Sequence, residues 1–285
     1  MSLSVAIQGV AGCFHDAAAH EFLSAYAPEV GVVENETFTD LFAGVRSGAA
    51  DLGIVAIENT IAGSLLDNYE LLRNSGLRVT GEHKKRISHV LCALPGQSVE
   101  DITEVNSHHM ALRQCEQWLQ RHPHIKRVEC FDTAGAARDI AEQRLPGHAA
   151  VCGEYAAELY GLNILARGIE TNKHNYTRFL IVALPAMADR LRLLKGVPDK
   201  ASVVFTLPHR QGALSRVLAI LSFYDINLSK IQSTPIIGRE WEYRFYADFT
   251  FDSAERYHQA IAAARPLMND FILLGEYADS ATPER

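Results

Sequence analysis

Apolar and polar positions along this chain follow two rhythms. Short apolar blocks, Leu3 to Gln8, Gly31 to Val33 and Leu52 to Ala56, read as buried strands, and the runs between them, about His15 to Ala25 and Thr39 to Ser47, repeat apolar positions at helical spacing. Alternation of this kind marks an α/β unit. After Lys84-Lys85-Arg86 a second set begins with a strand at Ile87 to Ala93. It continues through helices near Ala111 to Gln120, Thr133 to Gln143 and Tyr155 to Tyr160, and a strand at Thr177 to Leu184 ends the region.

The stretch from Leu184 to Lys200 carries Pro185 and Pro198 among mixed charges, and the grammar changes beyond it. A strand at Ala201 to Leu207 is followed by a helix at Gly212 to Tyr224 and strands at Ile226 to Ile237 and Glu240 to Phe251. A helix at Ser253 to Arg265 and a strand at Phe271 to Tyr277 complete it. This is the βαββαβ order of the ferredoxin-like split unit. The expected division is an N-terminal α/β region over 1–184, a linker over 185–199 and a C-terminal unit over 200–278.

Composition supports two domains, since the chain has 285 residues, 48% of them apolar. A net charge of −7 argues against nucleic acid or an anionic membrane as partner. An anionic substrate stays open, because screening over roughly 8–10 Å lets a few local cations dominate one pocket. The five cysteines are odd in number, widely spaced and free of any C-x-x-C pair, so they read as reduced thiols. No basic leader opens the sequence and no run approaches the ~20 apolar residues that span a bilayer, so the expected address is the cytoplasm.

Four N-terminal segments carry candidate chemistry. Asn172-Lys173-His174-Asn175-Tyr176-Thr177-Arg178-Phe179 opens a buried strand with an amide, a hydroxyl and a guanidinium that can converge on one anion. Its plainer reading is a turn with a solvated Arg. Glu58-Asn59-Thr60 through Ser64 follows a strand where α/β sheets place ligands, although Thr60 or Ser64 as a simple helix cap explains it equally well. Ser107-His108 and Asp132-Thr133 each place a hydroxyl at a helix start. Two such ends facing a cleft would hold a carboxylate without net positive charge, and capping alone also explains them. His108-His109 lacks a partner at ligand spacing, so no metal is expected, and Gly9 and Gly12 fall short of a phosphate loop. In the C-terminal unit, Gly212-Ala213-Leu214 at a helix start and Asn227 on the next strand leave room for a free amino acid, or simply form a tight loop.

In this order the segments resemble the prephenate dehydratase family over nearly the whole chain. Glu58-Asn59-Thr60 with Gly63-Ser64 is similar to its Glu-Asn-Ser/Thr segment, Ser107-His108 with Ala111-Leu112 to its Ser-His segment and Asp132-Thr133-Ala134 to its Ser/Thr-Ala segment. Thr177-Arg178-Phe179 matches its signature, Ala156-Ala157 through Tyr160-Gly161-Leu162 also looks like the family, and Gly212-Ala213-Leu214 resembles the ligand motif of its ACT domain. The resemblance implies a type-2 periplasmic-binding-like catalytic domain followed by an ACT domain. Lobe one would span about 1–85 plus 169–184, and lobe two about 86–168.

The implied reaction removes carbon dioxide and the ring hydroxyl from prephenate to give phenylpyruvate, on the path to phenylalanine, with no cofactor. Thr177 and Arg178 are then the expected catalytic pair, with Thr177 on the leaving oxygen and Arg178 on a carboxylate. Asn59, Thr60, Ser64, Ser107, His108, Thr133, Asn175 and Phe179 are expected around the substrate. Phenylalanine is the implied effector at Gly212, Ala213, Leu214, Asn227, Gln232, Ser233, Thr234 and Pro235, in a homodimer or homotetramer. Two departures stand out. Gln232-Ser233-Thr234-Pro235 replaces the usual Glu-Ser-Arg-Pro and loses both charges, and Gly12-Cys13-Phe14 replaces Gly-Thr-Phe. Competing readings are an arogenate dehydratase, and a non-catalytic binder of small anions or amino acids.

Overall fold

The computed structural model describes residues 3–27, 29–195 and 197–280. The chain first builds β1 (Leu3–Gln8), α1 (Phe14–Leu23), β2 (Val30–Asn35), α2 (Phe38–Ser47), β3 (Leu52–Asn59), β4 (Gly63–Ser64), α3 (Leu66–Ser75) and β5 (Arg78–Arg86). It then crosses into β6 (Val90–Ala93), β7 (Glu104–His108), α4 (His109–Gln114), α5 (Glu116–Gln120), β8 (Lys126–Cys130), α6 (Thr133–Gln143), β9 (His148–Cys152), α7 (Glu154–Leu159) and β10 (Asn163–Arg167). β11 (Tyr176–Ala183) and α8 (Pro185–Lys195) follow. The C-terminal unit is β12 (Lys200–Thr206), α9 (Ala213–Phe223), β13 (Asn227–Pro235), β14 (Tyr243–Thr250), α10 (Ala254–Ala264) and β15 (Asn269–Tyr277).

Three sheets organise these elements: β2-β1-β3-β11-β5 with β4 beside β3, then β10-β6-β9-β7-β8, then β13-β14-β12-β15. β11 returns from the second lobe and inserts antiparallel between β3 and β5. Its alternation explains that position. Phe179, Ile181 and Ala183 enter a core shared with lobe-two residues such as Cys92, Ala137 and Cys152. Leu180 and Val182 point the other way, into a core joined by Val204, Tyr246, Leu274 and Tyr277 of the third sheet. The third sheet therefore lies against the first, while its opposite face is covered by α9 and α10. At this seam a Cβ on Gly275 would stand 2.2 Å from the Val79 carbonyl oxygen, so only glycine lets β15 approach β5 so closely.

Several elements differ from their sequence patterns. Lys84-Lys85-Arg86, read as a break, ends the strand β5, whose first half is buried and whose cationic end leaves the core. The expected linker 185–199 contains the helix α8, with Pro185 at its first position, where a missing N–H costs nothing. The helix expected over Ala111 to Gln120 divides at Cys115 into α4 and α5. β7, β8, β9 and β10 are only five residues each, too short to stand out by periodicity.

Candidate active site

A cavity of about 300 Å³ lies between the first two sheets. Lobe one lines it with Gln8 at the end of β1, Cys13, Phe14 and His15 at the start of α1, Ala56 and Asn59 on β3, and Thr177 and Phe179 on β11. Lobe two contributes His89, His108, Met110, Gln114, Phe131, Asp132 and Thr133. Strand ends and helix starts meet here, as ligand sites in α/β sheets do.

A chain of amides runs along the cavity. The Asn59 amide donates to Thr177 Oγ1 at 2.9 Å and to Asn175 Oδ1 at 2.8 Å, while its own Oδ1 accepts from the Ile61 and Ala62 N–H groups, each at 2.9 Å. Asn175 then donates to Gln114 Oε1 at 3.0 Å, and His89 Nε2 lies 2.9 Å from the same oxygen. An amide oxygen only accepts, so His89 carries its proton on Nε2. Its Nδ1 is buried without a partner among the described residues. Because Thr177 Oγ1 accepts from Asn59, its own proton is left to donate.

The register of β3 against β11 makes this pairing possible. Thr177 lies opposite Asn59 and Arg178 opposite Glu58, but Phe179 lies opposite Ala56, so Ile57 is the extra residue of a bulge. Ile57 joins the core on the C-terminal side and Glu58 turns to Lys230, which leaves Asn59 facing the cavity beside Thr177.

Of the expected site residues, Asn59, His108, Thr133, Thr177 and Phe179 line the cavity, and Asn175 is fully buried one layer behind it. The others sit elsewhere. Arg178 points from the opposite face of β11, where its Nε donates to Glu82 at 2.7 Å, Nη1 to Asp248 at 2.5 Å and Nη2 to the Tyr277 hydroxyl at 3.1 Å. Adjacent strand residues face opposite sides, so a cavity-facing Thr177 excludes a cavity-facing Arg178. Ser64 accepts from Lys230 Nζ at 2.7 Å, away from the cavity. Thr60 donates to the His174 carbonyl and accepts from the Tyr176 N–H, closing a loop. Ser107 is fully buried and donates to the Val151 carbonyl between strands.

Among the described residues, no lysine or arginine lines the cavity. Its imidazoles are driven toward the neutral form: burial lowers His15 to about 4, burial also lowers His89, and burial followed by repulsion from His109 lowers His108. Burial, reinforced by Asp132, pushes the Cys13 thiol far up, which makes it an inert wall. Asp132 is raised, chiefly by burial. His15, His89 and Gln114 are the members that motif reading missed. Ile87-Ser88-His89 leading into an apolar strand was their best available signal.

The effector candidates do not converge within one chain. Gly212, at φ +74°, precedes α9, and Ala213 and Leu214 pack on the C-terminal core. Asn227 lies beyond the far end of α9, about 16 Å away at ~1.5 Å per residue, and donates to Thr250 Oγ1. Gln232, Ser233, Thr234 and Pro235 continue along β13, the strand at the sheet edge.

Two α/β lobes around a cavity of hydroxyl, amide and imidazole groups, followed by a βαββαβ unit docked behind the first lobe, define a two-lobed small-molecule enzyme with an added C-terminal unit. The chain belongs to the prephenate dehydratase family, whose model, described as "Prephenate dehydratase", matches residues 5–186. It is 36% identical over 289 residues to arogenate dehydratase/prephenate dehydratase 2 of Arabidopsis thaliana, covering 98% of this chain and 73% of that one. It is also similar to the structure of prephenate dehydratase in complex with L-Phe from Arthrobacter aurescens, with TM-score 0.82, 29% identity and coverage of 97% and 90%. A third likeness is to GqqA, described as a novel type of quorum quenching acylase, with TM-score 0.83, 28% identity and coverage of 97% and 98%.

Proposed function

We propose that this chain dehydrates and decarboxylates prephenate to phenylpyruvate, and that arogenate, the amino analogue, enters the same cleft to give phenylalanine. The observation that carries the reading is the orientation of Thr177. Asn59 occupies its acceptor side, so its O–H is free to hydrogen-bond the departing ring oxygen as that oxygen gains negative charge. Loss of carbon dioxide supplies the electron pair that expels the hydroxyl and completes the aromatic ring. A threonine hydroxyl is a weak acid, so we assign Thr177 the stabilising hydrogen bond and leave net proton delivery to water. A substrate carboxylate takes the start of α1 in place of Arg178. The first turn of α1 has no side-chain cap, and its N–H groups and dipole favour an anion.

Acyl transfer, the activity named for GqqA, calls for a nucleophile hydrogen-bonded to a base. Among the described residues no hydroxyl or thiol lining the cavity is hydrogen-bonded to an imidazole, and Thr177 is held by an amide. This favours the dehydratase. We further propose that the C-terminal unit is an ACT domain that senses phenylalanine, supported by Gly212-Ala213-Leu214 and by the L-Phe complex of the Arthrobacter relative. We infer a homodimer or homotetramer joined through the β13 edge, which carries exposed Ile231 beside exposed Ile237 and Trp241. A cytoplasmic address fits five free thiols and the absence, among the described residues, of a helix long and apolar enough to cross a membrane.

The test is to incubate purified protein with prephenate and, separately, with arogenate, following phenylpyruvate and phenylalanine with and without added phenylalanine. Turnover of neither substrate ends the dehydratase reading in favour of a binding protein.

A further inference from the structure

Among the described residues that line the cavity, Asp132 is the one carboxylate, and none is Lys or Arg. Asp132, the residue before α6, spends Oδ1 on the Gly135 N–H at 2.8 Å as a helix cap. Its Oδ2 sits against bare backbone: a Cβ on Gly9 would come within 2.9 Å of it, and Gly9 itself is held at φ +104°. Among the described residues Asp132 has no Lys or Arg ion pair, and no Lys or Arg shares the cavity wall with it. Burial raises its pKa, an effect that the Gly135 and Ala134 N–H groups, and then His108 and Arg138, offset only in part. The carboxylate therefore faces a ligand site tied only to the N–H groups of its own helix start, with no Lys or Arg among the described residues of the wall.

The two candidate substrates differ at one charge. Prephenate carries two carboxylates and a keto group, net −2, and with one proton gives phenylpyruvate, carbon dioxide and water. Arogenate carries the same carboxylates and an α-ammonium, net −1, and with one proton gives phenylalanine, carbon dioxide and water. A wall with a lone carboxylate and no cation repels the first and pairs with the ammonium of the second. We propose that Asp132 recognises the substrate's α-ammonium and makes this enzyme prefer arogenate over prephenate. The proposal rests on the dehydratase reading. A helix cap alone needs only an acceptor oxygen, which asparagine or serine supplies equally well, so the charge is what distinguishes the two roles.

The experiment compares kcat/KM for arogenate and prephenate in the full-length wild type, D132N and D132S, both of which keep the cap. The wild type is expected to favour arogenate. In each variant the arogenate-to-prephenate ratio falls at least tenfold, through loss on arogenate and gain on prephenate as repulsion is lifted. The ratio is internal to each preparation, so partial misfolding cancels. An unchanged ratio, or a wild type that favours prephenate, overturns the proposal while leaving the dehydratase intact. A wild type that turns over neither substrate removes the dehydratase reading, and the preference with it.

Discussion

The two faces of β11 are chemical opposites. On the cavity face, Thr177 and Phe179 look onto amides, hydroxyls and neutral imidazoles, with no lysine or arginine among the described residues. On the other face, one residue away, Arg178 enters a seam where Lys200 reaches Glu82 at 2.9 Å, Lys230 reaches Glu58 at 2.9 Å and Arg244 reaches Glu70 at 2.5 Å. Arg178, the cation expected at the substrate, joins the charges that hold the C-terminal unit to lobe one. The charged pairs thus gather at the joint between domains, and among the described residues the ligand site is lined by no lysine or arginine. The same arrangement ties the cavity to the C-terminal unit, because the strand that presents Thr177 is gripped from behind by Asp248.

Removing the central cation is the most forceful way to break this comparison. Arg178→Met leaves Glu82 and Asp248 buried with one partner fewer, and loss of one member of a buried charge cluster costs about 3–5 kcal/mol. Urea unfolding should report a loss of that order. Arg178→Lys is expected to recover only part of it, since an ammonium cannot serve three partners in the geometry of the planar fork. If Arg178→Met keeps wild-type stability and loses substrate binding instead, the assignment of the two faces is reversed.

On the cavity face the effect appears in rate. Thr177→Ala should lower kcat by about 10²-fold or more, roughly 2.7 kcal/mol of transition-state stabilisation. Its unfolding midpoint should move far less than that of Arg178→Met. Near-normal turnover in this mutant removes Thr177 from the mechanism.

Much of this was legible in the sequence. The run Thr133 to Gln143 matched α6, which the structure caps with Asp132 where a hydroxyl had been expected, and the βαββαβ order emerged from periodicity alone. The parity of Thr177-Arg178-Phe179 also held more than motif reading took from it, because period two already places Thr177 and Phe179 on one face and Arg178 on the other. The illegible part was partnership. Arg178 meets Asp248 and Tyr277 across 70 and 99 residues, and the bulge that turns Glu58 to Lys230 has no local signature. Gln114 and His89 were missed for the same reason, since their role comes from Asn175 across the cavity.

Acid offers a graded probe of the seam. Burial on its own would raise the Glu82 carboxyl, but Arg178 and Lys200 overcome it and hold the pKa well below the ordinary 4.5. A depressed folded-state pKa means that the stabilisation is fully present above pH 4.5 and drains away as pH falls through the folded value. Wild-type unfolding free energy should therefore drop steeply below that point. In Glu82→Gln, already weaker at neutral pH, the same plot should be flatter, and equal slopes would detach Glu82 from the effect.

The smallest expected effect is the sharpest on placement. Ser64 belongs to a segment that resembles a substrate-binding motif, yet its hydroxyl accepts from Lys230 on the seam side. Ser64→Ala removes one hydrogen bond from a lysine that keeps Glu58, so stability should fall by about 1 kcal/mol. Because the side chain is remote from the cavity wall, kcat/KM should stay within about a factor of two of wild type, the ordinary spread for a neutral site. A tenfold rise in KM with unchanged stability would return Ser64 to the substrate and move the boundary between the two faces into the β3–β4 turn.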